Sequence, residues 1–148
     1  MIRAVLDTNT LVSAIINTKG SVAQEIYQNF KHKRFSLVIS PEILEEVEEV
    51  SNRERIIKRH QLSTKELKII ISELASLSYL VPGTTKVEVV RDPDDNKIIS
   101  AAVEGQATYI VTRDEDLLDL KEYQEISEAL LRIKIISPET FMGILRTQ

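Results

Sequence analysis

Apolar positions along the chain follow two rhythms. Short runs such as "IRAVL" (Ile2–Leu6), "FSLVI" (Phe35–Ile39), "TYIVT" (Thr108–Thr112) and "RIKII" (Arg132–Ile136) have strand length and few polar interruptions. Tyr79–Val81 and Val87–Val90 are also β-prone and are split by Pro82-Gly83. Between these runs apolar residues recur every three or four positions, as in a helix. Leu11, Val12, Ile15 and Ile16 predict a short helix broken at Lys19-Gly20, and Val22, Ile26 and Phe30 a second over Val22–Lys33. Leu67, Ile70, Ile71, Leu74 and Leu77 form the stripe of a long helix capped by Ser63. Ser40-Pro41 and Ser137-Pro138 each place an N-cap serine before a proline suited to the first helical position. The charged stretch Ser51–Gln61 is also expected to be helical, and a further helix follows Asp92 and ends near Gly105. Strands alternating with helices predict a parallel sheet covered on both faces. No linker or low-complexity segment interrupts the pattern, so residues 1–148 are expected to form one α/β domain.

Composition narrows the chemistry. With 43% hydrophobic residues over 148 positions, the chain can bury a real core. Its apolar runs are too short to span a bilayer, which predicts no membrane partner. "MIRAVLD" lacks the apolar region and cleavage site of a signal peptide, so the expected compartment is the cytoplasm. There are no cysteines, and the 2 histidines, His32 and His60, lie in basic runs. Disulfides and thiolate zinc sites are excluded. A metal here would need oxygen ligands, which favours magnesium or manganese. The net charge of −4 does not mark a nucleic-acid binder, yet bases cluster in Lys31–Arg34 and Arg53–His60. Those runs read either as solvated surface or as a phosphate track.

The acids carry the sharper signal. In an open parallel sheet, ligands gather beyond the carboxyl ends of the strands. Asp7 follows the first strand and Asp114 follows "YIVTR". Each reads as a helix N-cap or as a ligand. The stretch "RDPDDNKIISAA" divides by helical phase. Asp92 precedes Pro93 and reads as the cap. Asp95 shares the phase of Ile98, Ile99 and Ala102, and so faces the sheet. Asp94 lies about 100° away, nearer solvent. An inward carboxylate gains from the helix dipole, but its desolvation calls for more: backbone N–H groups, a basic partner or a cation. In "SPEILEEVEEV", Glu46 lies nearest the apolar face, about 90° from its centre, and the other glutamates read as a solvated surface. The second Ser-Pro helix has Gly143 where the first has Glu46, so the cap itself does not require an acid there. Asp7, Glu46, Asp95 and Asp114 can thus converge beyond the strand ends. Clustered carboxylates tolerate one another when a hard divalent cation intervenes, and such a site suits phosphodiester hydrolysis.

At these residues the sequence resembles the PIN-domain ribonucleases, most of all the prokaryotic PIN-family toxin components of toxin–antitoxin systems. The matching motifs are "VLDTNTLVSA", "SPEILEEVEEV", "RDPDDNKIISAA", "YIVTRDEDLL" and "IISPETF", in family order. The resemblance implies a three-layer α/β/α fold and an endoribonuclease dependent on Mg2+ or Mn2+. Carried over by position, its acids are Asp7, Glu46, Asp95 and Asp114. Asp116 matches a further acid that binds metal through water, and Asn9 and Thr112 match polar positions that order the acidic pocket. The resemblance also implies a homodimer and an antitoxin partner. The segment Asp119–Arg132 is longer than the family pattern, which bears on those partner surfaces.

Two other readings compete. A haloacid-dehalogenase-like phosphatase also places Asp after its first strand, but it needs a second Asp two residues on. That position is Asn9, and an amide cannot deliver the proton. A non-catalytic RNA-binding module on the same fold is the other, since fold does not fix function. Arg113, beside Asp114, is placed to meet an RNA phosphate. Tyr27 and Phe30 are expected in the helix core rather than stacked on bases.

Overall fold

The computed structural model describes residues 1–16, 20–57, 62–85, 93–119 and 132–148. Strand β1 (Arg3–Leu6) leads into α1 (Thr8–Ile16) and α2 (Val22–Lys31), and β2 (Ser36–Ile39) into α3 (Pro41–Ile57) and α4 (Thr64–Leu77). The short β3 (Tyr79–Leu80) precedes α5 (Pro93–Glu104), β4 (Tyr109–Val111) and α6 (Glu115–Leu118), and β5 (Lys134–Ile136) precedes α7 (Pro138–Arg146). The predicted run Val87–Val90 and the cap Asp92 lie outside the described residues, as do residues 120–131 of the long insertion.

The sheet has the order β3-β2-β1-β4-β5, with every pairing parallel. Val5 pairs with Ile110 across β1 and β4, and Leu6 with Val111. The crossovers from β1 to β2 and from β2 to β3 step one way along the sheet; the crossover from β3 to β4 steps back. Right-handed connections therefore place α5 on the face opposite α1 to α4, giving the three α/β/α layers. β1 is where the strand order reverses, and the crevice between the ends of β1 and β4 is the natural ligand position of such a sheet.

Local chemistry sets the element ends. Ser21, Ser63 and Ser137 each accept a hydrogen bond from a backbone N–H three residues on, at Gln24, Glu66 and Thr140. Ser40 does the same for Ile43 at 3.3 Å. Helix α2 ends at His32 because Lys33 turns into the left-handed region with φ 59°. Ala4, Val5, Leu37, Val38, Ile39, Ile110 and Val111 form the buried centre of the sheet. Tyr27 and Phe30 are core residues, as expected, within a ladder of rings that runs through Phe35 and Phe141 to Tyr109.

Helix α5 is fixed at its far end. The Arg3 guanidinium, at the amino end of β1, donates to the Gly105 carbonyl at 3.1 Å. A Cβ on Gly105 would come within 2.4 Å of a Val38 methyl, so only glycine fits this approach. With its carboxyl end at the amino edge of the sheet, α5 brings its first turn to the opposite edge, where β1 and β4 end. It packs on those same two strands.

Candidate active site

Asp7 leaves β1 and caps α1. Its Oδ1 accepts from the Thr10 N–H at 2.9 Å, and its carbonyl accepts from the Leu11 N–H. Asp7 is only 9% exposed. Its Oδ2 accepts from the Thr112 hydroxyl at 2.5 Å. Thr112, wholly buried just beyond β4, in turn accepts from the Asp114 N–H at 2.9 Å. Asp114 then caps α6, accepting from the Asp116 N–H at 2.9 Å. One hydroxyl thus ties together the ends of two neighbouring strands and the acids that follow them. Both acids are helix caps, as one reading held, and both also stand at the crevice where the ligand reading wanted them. Capping engages one lone pair of an oxygen, and a carboxylate has about four such sites, so it does not use up the group.

Asp7, Asn9, Thr10, Ser13, Arg113 and Asp114 line one cavity of about 270 Å³. Of the polar residues expected to order the pocket, Thr112 binds Asp7 directly, while Asn9 is exposed at the cavity wall. Asp116 is exposed in the first turn of α6 and reaches Asp114 through its backbone N–H. Arg113 forms an ion pair with Glu139, Nη1 to Oε1 2.6 Å. In Glu139, its own backbone N–H holds the carboxyl below the usual carboxylate range; burial opposes this slightly and Arg113 adds to it.

Asp95 sits in the first turn of α5 and is 8% exposed, and Ile98, Ile99 and Ala102 are buried beneath the same face. The helical phase read from sequence therefore holds for Asp95. The side chain of Asp94 lies outside the described residues. Glu46, in the second turn of α3, is 24% exposed, the boundary position expected of it. Its carboxylate pairs with the Lys97 ammonium, itself 15% exposed, two residues beyond Asp95. Burial lowers the Lys97 pKa and the charge of Glu42 counteracts this. Glu42, Glu45, Glu46, Glu49, Arg53 and Lys97 line a separate opening of about 380 Å³. The structure thus gathers Asp7 with Asp114 and ties Glu46 to the turn that carries Asp95.

Among the described residues, no three His, Cys, Asp or Glu side chains converge into a ready-made metal cage. Magnesium does not require one: it takes one or two carboxylates and fills its octahedron with water and substrate phosphate oxygens. Two carboxylates on one open cavity, with no sulfur or imidazole near, fit that demand. The first basic run, residues 31–34, is exposed, with Lys31 3.9 Å from Glu73 and the Arg34 guanidinium donating to the Leu145 carbonyl at 3.0 Å. Sequence reasoning missed Thr10, Lys97 and Glu139. Thr10 had a signal, its position three residues after a capping aspartate.

The chain matches the PIN-domain family over residues 3–116, a span that contains all of Asp7, Glu46, Asp95, Asp114 and Asp116. It is 32% identical over 144 residues to the uncharacterized protein MJ1680 of Methanocaldococcus jannaschii, covering 95% of this chain and 90% of that one. Its fold is similar to a chain in the crystal structure of VapBC2 from Rickettsia felis bound to a DNA fragment from their promoter. The TM-score is 0.55 at 17% identity, with 92% of this chain and 98% of that chain covered. The acids at the strand ends, the parallel sheet that presents them and the span of the match agree: this chain belongs to the PIN-domain family.

Proposed function

We propose that this protein is a divalent-metal-dependent endoribonuclease that hydrolyses RNA phosphodiester bonds. The observation that carries the reading is the Thr112 bridge, which holds Asp7 and Asp114 on one open cavity at the switch point of the sheet. Asp7 and Asp114 would hold Mg2+ or Mn2+, with Asp95 as a further acid from the first turn of α5 and Asp116 acting through water; Glu46, paired with Lys97 on the separate opening, would join them only by releasing that lysine. When bound, the ion supplies an activated water and charge neutralisation at the phosphate.

The chain's own residues do the remaining work. Thr112 and the Thr10 N–H fix the rotamer of Asp7, so its free lone pairs face the cavity. Asn9 lies where it can orient a sugar or phosphate oxygen. Arg113 meets a backbone phosphate at the cavity mouth. Attack of water in line with the 3′ oxygen leaves a 5′-phosphate and a 3′-hydroxyl. The resemblance of the ordered motifs extends the proposal to a cytoplasmic, homodimeric toxin of a toxin–antitoxin pair, with a protein antitoxin as partner.

The test incubates the parent chain and Asp95→Asn with a mixed RNA pool in Mn2+, Mg2+ or EDTA. Cleavage is expected only for the parent and only with metal. Cleavage that survives EDTA, or is equal in the two proteins, would overturn the proposal. RNA retained but never cut in any metal would establish a non-catalytic RNA-binding module instead.

A further inference from the structure

Arg113 belongs to two settings at once. It lines the cavity with Asp7 and Asp114, and its Nη1 lies 2.6 Å from Glu139 Oε1. Glu139 stands in the first turn of α7, which starts directly after β5, so both partners lie at the carboxyl edge of the sheet. The pair is open to water, with side chains 61% and 52% exposed. An exposed pair of this kind adds little to stability and is readily exchanged. A guanidinium binds carboxylate and phosphate through the same planar fork of N–H donors. Glu139 and an RNA phosphate therefore compete for the same donors.

We propose that Glu139 is a positioning residue that holds Arg113 at the cavity mouth as an internal substitute for phosphate and yields it to the RNA backbone on binding. This rests on the reading of the cavity as an RNA site. It makes Glu139 a determinant of RNA affinity that acts only through Arg113.

The experiment measures anisotropy of a labelled, mixed-sequence single-stranded RNA on the full-length chain in EDTA, so that binding is read without cleavage. The proteins are the parent, Glu139→Gln, Arg113→Ala and the double variant, each at several salt concentrations. Arg113→Ala is expected to weaken binding and to reduce the salt slope by about one. Glu139→Gln is expected to tighten binding of the parent by up to roughly fivefold and to change nothing in the Arg113→Ala background. Equal tightening in both backgrounds would mean a general charge effect and would overturn the proposal, as would weaker or unchanged binding by Glu139→Gln. An unchanged affinity in Arg113→Ala would instead remove Arg113 from the RNA site, and the inference with it. No binding by the parent either in EDTA or with Ca2+ in its place would overturn the RNA reading itself. Exposed side chains at both positions leave the fold intact in all four proteins, which matching melting curves verify.

Discussion

The Thr112 hydroxyl donates to Asp7 Oδ2 and accepts from the Asp114 N–H, so one buried side chain sets the spacing of the two acids. Thr112→Val keeps the shape and removes both bonds. Hydrogen bonds to charged groups contribute about 1.5–3 kcal/mol. Chemical denaturation should therefore show a loss of about 2 kcal/mol. RNA cleavage should fall more than the stability loss explains, because Asp7 then loses its fixed rotamer. Full activity in a destabilised Thr112→Val would show that the bridge serves the fold alone.

Lys97 and Glu46 form the ion pair that joins α5 to α3. Lys97→Met removes the cation paired with Glu46 and leaves Arg53 as the other base lining the opening it shares with Glu42, Glu45 and Glu49. Breaking a fully buried pair costs about 3–5 kcal/mol and an exposed one costs little, so about 1–2 kcal/mol suits these partly buried partners. Adding Glu46→Gln should recover part of that loss. A double-mutant cycle on denaturation midpoints checks it; strictly additive losses would show that the two side chains are not coupled in solution.

Gly105→Ala tests the seat of α5. The added methyl would meet a Val38 side chain at 2.4 Å, inside the buried centre of β2. Overpacking of this kind typically costs about 1–3 kcal/mol. Val38→Ala makes room for it, so the double variant should be less destabilised than the sum of the singles. Thermal melts of the variants decide this, and no loss in Gly105→Ala would contradict the close approach.

Alkaline stability should report on Tyr27. Its hydroxyl donates to Glu73 Oε1 at 3.1 Å. Burial, then the charge and hydrogen bond of Glu73, push its pKa well above the usual tyrosine value. A raised folded pKa gives stability that is fully present below the unfolded value near 10 and is lost as pH climbs toward the folded one. Relative to Tyr27→Phe, the parent should be more stable by about 1 kcal/mol at pH 7. That advantage should shrink above about pH 10. Urea titrations at neutral and alkaline pH measure it; a constant difference would mean that the phenol ionises alike in both states.

Much of this site could be read before any coordinates. The stripe Ile98, Ile99 and Ala102 sets the helical phase that buries Asp95, and Ser40, Ser63 and Ser137 mark their helices as caps. Each of these signals lies within one or two helical turns of sequence. What escaped depends on distance along the chain. Thr112 and Asp7 are 105 residues apart, and only the pairing of β1 with β4 brings them together. Lys97 looks like a surface lysine on its own helix, since its partner sits on α3. Glu139 looks like any first-turn acid until β5 is laid beside β4, which brings Arg113 within reach. Leu77, counted in the stripe of α4, is 42% exposed because the helix ends at that residue.

Helix α5 acts as a gauge rod. Ten residues separate Gly105 from Asp95, about 15 Å at the helical rise. Where the first turn of α5 carries Asp95 is therefore set from the opposite end of the helix, where Arg3 and Val38 stop the rod. If the proposed reaction uses Asp95, a screen for inactive variants should pick out Gly105 and Arg3 alongside the acids, although both lie at the other end of the helix. Their failure would be one of metrology rather than chemistry: the carboxylate would be present but cut to the wrong length.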